Sequence, residues 1–79
     1  MIKIGQVRKI DKGDNWQPFP DYNHKIVISY ISDYGLCGVI YDTGLVLQSI
    51  PESFIEDRTN IIAEYQTWQE AVNSKEFKE

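Results

Sequence analysis

Between two apolar runs, 45–50 and 59–65, stands Ser49-Ile50-Pro51-Glu52-Ser53-Phe54-Ile55-Glu56, the stretch that most limits the fold. Proline fixes its own φ at about −65° and drives the preceding residue toward extended backbone. Ile50 therefore closes a strand and Pro51 opens a tight turn. One helical turn is predicted over about 51–55, with Phe54 facing inward, before a return strand. A strand, a single helical turn and a second strand in so short a space point to a small β-barrel.

The rest of the chain supplies the other strands. Residues 2–10 (IKIGQVRKI) read as a strand with a fault at Gly5, where Val7 falls out of phase with Ile2 and Ile4. An isolated glycine in a strand pattern marks a bulge that would restore the facing. Residues 25–32 (KIVISYIS) are rich in β-branched and aromatic residues and predict a second strand. Asp33-Tyr34-Gly35 and Asp42-Thr43-Gly44 repeat one turn chemistry, so 36–41 and 45–50 become strands three and four of a meander. Residues 59–65 give a fifth.

After Tyr65 the period changes. Thr67-Trp68-Gln69-Glu70 fits a capping box, and Trp68, Ala71 and Val72 share one helical face. A short C-terminal helix is predicted over about 67–75, with Phe77 packing beyond the weak Asn73-Ser74 step. The expected fold class is mainly β, a five-stranded small barrel with a short C-terminal α-helix. It forms one domain over 1–79, with the barrel over about 1–65.

Seventy-nine residues bury only about 60% of the surface their unfolded chain exposes, which leaves little room for a deep enclosed pocket. Cys37 is the sole cysteine, so no internal disulfide staples the chain. No apolar leader or membrane-length run occurs, and a cytoplasmic protein is expected. The net charge of −4 is uneven: residues 1–40 carry +1 and residues 41–79 carry −5. Such asymmetry can mark an interaction surface, and a solvated acidic C-terminal helix accounts for it without any ligand.

The order of five short strands, a long first loop, two tight hairpins and a helical turn before the last strand resembles Src-homology-3-like barrels. Gly44 and Ile50-Pro51-Glu52-Ser53-Phe54-Ile55 resemble that family's Gly…Pro-x-x-Tyr-Val ending, with Pro51 at its proline and Phe54 at its tyrosine. The resemblance implies the barrel. Peptide-binding members carry Ala-Leu-Tyr-Asp-Tyr in the first strand, where this chain has Gly5-Gln6-Val7-Arg8-Lys9. Leu36-Cys37 stands where their groove tryptophan would be, so proline-rich peptide binding is mostly not implied. The last third, Arg58 to Tyr65 followed by Thr67-Trp68-Gln69-Glu70-Ala71-Val72, is similar to small uncharacterised proteins of phages and prophages of Gram-positive bacteria. That similarity implies a bacterial cytoplasm and an accessory role.

Chemistry-bearing patterns are scarce. His24 and Cys37 are the only residues of their types, and a lone pair cannot make a structural zinc site. Cys37 lies mid-strand among apolar neighbours, as inert core thiols do. No phosphate loop or calcium loop is present. No enzymatic activity, cofactor, metal or membrane partner is expected. The best candidate is the turn-rich segment 11–24, which holds Trp16, Phe19 and Tyr22 with Pro18 and Pro20. Stiff aromatics are enriched at interface hot spots, although the same three rings would also serve to close one end of a barrel short of core.

The expected function is therefore a non-enzymatic binding module that holds a protein partner through Trp16, Phe19 and Tyr22. One alternative is an acidic inhibitor of a host nucleic-acid enzyme, acting through Glu52, Glu56, Asp57, Glu64, Glu70 and Glu76. Another is single-stranded nucleic-acid binding by Arg8, Lys9, Lys12 and Lys25 near Trp16, which the acidic pI of about 4.8 opposes. The apolar edge Ile61-Ile62-Ala63-Glu64-Tyr65, guarded by one charge, favours a homodimer through this edge or through the aromatic loop.

Overall fold

The computed structural model describes residues 1–10 and 24–78. In chain order the elements are β1 (Gln6–Ile10), β2 (Lys25–Ile31), β3 (Leu36–Tyr41), β4 (Val46–Pro51), α1 (Glu52–Arg58), β5 (Thr59–Glu64), α2 (Trp68–Val72) and α3 (Lys75–Lys78). The strands form one antiparallel sheet in the order β4-β3-β2-β1-β5. The first and last strands are thus neighbours, and β4 and β5 are the two edges. The mainly β reading holds, as do the five strands and their meander.

Both hairpins of the meander are built alike. Ser32 and Leu36 close the first and Tyr41 and Leu45 the second, each around a three-residue loop ending in glycine. The Ser32 hydroxyl also accepts from the amides of Tyr34 (3.2 Å) and Leu36 (3.1 Å), which fixes the first turn without any tertiary contact.

Each face of the sheet has its own core. The inner face buries Ile10, Ile26, Ile28, Cys37, Val39 and Tyr41, closed by Ile2, Ile50 and Ile55. On the outer face Val7 and Val27 pack with Ala71 and Phe77, flanked by Ala63, Tyr65, Trp68 and Val72. The C-terminal segment is therefore a second layer covering the β1–β2 half of the sheet. The expected packing of Trp68, Ala71 and Val72 is observed.

Three predicted boundaries move, each for a local reason. The first strand begins at Gln6, because Gly5 takes φ 94° and Gln6 N–H turns back to the Lys3 carbonyl. Ile4 is consequently exposed rather than facing the core. The single turn after Pro51 is a two-turn helix, α1, with Glu52 and Arg58 matched to its dipole ends. It stops where the Thr59 hydroxyl and amide both bond the Ile55 carbonyl. Phe54 packs against the core at its rim, and the fully buried Ile55 is the plug. The C-terminal helix divides into α2 and α3, because the Ser74 hydroxyl bonds the Ala71 carbonyl at 2.6 Å and accepts from Phe77 N–H at 3.3 Å. One side chain thus ends the first helix and begins the second. The Thr67 cap forms as predicted on the Glu70 amide (3.1 Å), but the Glu70 carboxylate accepts from the Thr67 hydroxyl instead of the backbone.

Candidate functional site

Trp16, Phe19 and Tyr22 lie outside the described residues, so the structure supplies only the frame from which their segment departs. That frame is tightly tied. Ile10 N–H donates to the His24 carbonyl at 2.9 Å, joining the strand before the loop to the strand after it. Asp42, in the β3–β4 turn, holds the loop's exit with both oxygens: Oδ1 is 2.9 Å from His24 Nδ1, and Oδ2 accepts from Lys25 N–H at 3.1 Å.

Of the basic set suggested for nucleic acid, Arg8 is withdrawn into the fold and Lys12 lies outside the described residues. Arg8 is only 4% exposed and points into the inner face. Its Nε donates to Thr59 Oγ1 (2.8 Å) and its Nη1 to Gln6 Oε1 (2.8 Å). Gln6 is itself buried and passes on to the Met1 carbonyl and to Glu64. Burial pushes the Arg8 guanidinium below its ordinary value, and Glu56 and Glu64 pull it back up. A side chain so committed is unavailable to a phosphate.

The acidic set is mostly engaged within the chain. Glu56 lies 3.3 Å from the Met1 amino group, Asp57 bonds Arg58, Glu64 accepts from Gln6, and Glu76 accepts from the Tyr65 hydroxyl. That bond holds the Glu76 carboxyl below, and the Tyr65 phenol above, their ordinary values.

Cys37 is fully buried in the inner core. Burial, aided by Glu52 and opposed by Arg8, raises the thiol to about 11. It stays protonated at neutral pH and is no nucleophile there. Among the described residues no cluster of three or more His, Cys, Asp or Glu could hold a metal, and no helix is long and apolar enough to cross a membrane.

A concave feature of the described surface has no counterpart among the sequence-based expectations. On the outer face, beyond the part that α2 and α3 cover, β2, β3 and β4 form a groove of about 500 Å³. Gly38 is its floor, and a Cβ there would come within 3.3 Å of both Ser29 Oγ and Tyr30 Cβ. The groove is shaped by two β-bulges that face one another across Gly38. Ile28 and Tyr30 pair with consecutive residues of β3, leaving Ser29 extra. On the other side Leu47 pairs with Val39 and Ile50 with Cys37, so both Gln48 and Ser49 stand opposite Gly38. Ser49 takes φ 65°, the only positive φ at a described non-glycine residue. Tyr30 (60% exposed) and Tyr34 (91% exposed) form the rim with Val46, and Leu36 and Ser32 close the hairpin end.

Compared with protein-family models, with curated proteins and with solved structures, the chain matches none.

Proposed function

We propose that this chain is a non-enzymatic protein-binding module of Src-homology-3-like architecture, which engages its partner through the 14–24 loop. The observation that carries the reading is the loop's frame. The segment holding Trp16, Phe19 and Tyr22 leaves and rejoins the centre of the sheet between paired strands, and Asp42 clamps its exit. Recognition loops borne on a rigid scaffold are the usual carriers of binding. The barrel reading draws support from the strand order, with β5 beside β1, and from the helix inserted between Pro51 and β5. The non-enzymatic reading draws support from the protonated, core-bound thiol of Cys37. The setting in this reading is the bacterial cytoplasm, with an accessory role in phage or prophage biology.

Affinity capture from native host cells, read by quantitative mass spectrometry, tests the proposal. One protein should be retained by the wild type at low and high salt and lost with Trp16→Ala. Retention by Trp16→Ala would overturn the loop as the contact surface. Loss on adding salt, together with loss on charge reversal at Glu56 and Asp57, would replace it with the acidic-inhibitor reading.

A further inference from the structure

The described residues that line the groove across Gly38 all lie outside the 14–24 segment. We propose that the groove is a second binding site, for an extended, otherwise neutral peptide segment that directs one lysine or arginine side chain toward Glu52.

The shape is preformed. Two facing bulges and a glycine floor hollow out a surface that a regular sheet would fill with side chains. The positive φ of Ser49 is unfavourable backbone maintained at the wall of this hollow, and such strain concentrates at ligand sites. A volume of about 500 Å³ lies in the ordinary range for ligand sites.

The chemistry is that of a polypeptide-binding surface. Tyrosines offer broad contact at little entropic cost, while serine and glutamine hydroxyls and amides adapt to backbone groups. Here Tyr30 and Tyr34 supply the first property and Ser29, Gln48 and Ser49 the second. Among the described residues no lining residue is charged, although a quarter of the chain is. A densely charged occupant would therefore be desolvated against neutral walls.

Among the described residues charge approaches the groove at its hairpin end. Glu52 N–H donates to the Gly35 carbonyl, and the Glu52 carboxylate lies 3.4 Å from where a Cβ on Gly35 would be. Gly35 sits between the lining residues Tyr34 and Leu36, and Asp33 stands on the same turn. Among the described residues neither carboxylate has an ion-pair partner. A single basic side chain complements this end, and a phosphate or nucleic acid is repelled by it. The bulge in β4 opposes simple strand addition at that edge, so the segment crosses the face rather than extending the sheet.

The test screens a randomised library of short peptides against the full chain, with Tyr34→Ala, Glu52→Gln and Trp16→Ala in parallel. Tyr34 is 91% exposed, so its replacement leaves the fold intact. Wild type should enrich peptides with lysine or arginine at one position and neutral residues around it. Tyr34→Ala should weaken the selected peptides about tenfold, Glu52→Gln should erase the basic preference alone, and Trp16→Ala should change nothing. Amide shifts on titration should centre on Gly38, Tyr30 and Ser49. Absence of enrichment, enrichment of acidic peptides, or enrichment unaffected by Tyr34→Ala would each overturn the site. Loss with Trp16→Ala would assign the peptides to the loop instead, leaving that reading standing and this one refuted.

Discussion

A methyl group on Gly5 would run into the Tyr65 carbonyl, and the residue already holds φ 94°. Its N–H donates to Ile28 and its carbonyl accepts from Tyr65, so this one residue joins β2 to the chain leaving β5. Gly5→Ala should therefore cost on the order of 3 kcal/mol, combining backbone strain with steric overlap. Urea unfolding measures it, and a loss under about 1 kcal/mol would show that the junction yields. Thr59 is the other residue with a disproportionate role. Its hydroxyl receives Arg8 Nε and donates to the Ile55 carbonyl, tying the buried guanidinium to the end of α1. Thr59→Val keeps the shape and removes both bonds, leaving a buried donor unpaired. The expected loss is about 1–3 kcal/mol. It should shrink in an Arg8→Met background, where that donor no longer exists.

The elements show what could be read from the sequence and what could not. Strand positions, both hairpins, the Thr67 cap and the apolar face of α2 followed from local signals: period, turn residues and capping spacing. The bulges escaped, although their trace is present. Inward residues Ile28 and Ile31, and likewise Leu47 and Ile50, are three apart rather than two, the mark of one inserted residue. A strand read by alternation alone would turn Tyr30 inward. The groove was invisible because it depends on two insertions meeting across Gly38, a coincidence of register that no single segment encodes. The length of α1 was missed because its stop is Thr59, whose helix-ending bonds resemble ordinary strand entry in sequence.

The docking of α3 carries a pH signature at this same scale. Tyr65 lowers the Glu76 carboxyl in the folded state, so this bond's stabilisation is present above the carboxyl's ordinary value of 4.5 and fades as pH falls below it. Melting temperature followed from neutral pH into that range should fall more steeply for wild type than for Tyr65→Phe. Parallel curves would deny the bond any role. Removing the chain after Tyr65 bares Val7 and Val27 and should unfold the protein or lower its melting temperature sharply. The milder Phe77→Ala is expected to cost about 3–5 kcal/mol.

At the scale of the whole molecule the question is association. Both edge strands carry a bulge, at Gln48–Ser49 in β4 and at Ile62 in β5. Bulged edges resist pairing with another chain, which counts against the β5 homodimer that the apolar sequence suggested. Sedimentation at micromolar concentration should show the monomer mass. A dimer abolished by Ile62→Lys would establish edge pairing after all. Bulges also decide where the chain can change length. Ser29 and Ile62 are surplus to their ladders, and the residues on either side already face consecutive partners. Excising either should leave every remaining strand residue facing as it does now. Loss of one residue elsewhere in a strand, Val27 or Val39 for example, would turn everything beyond it inside out. A single-residue deletion series should therefore give folded protein at 29 and 62 and aggregate at 27 and 39.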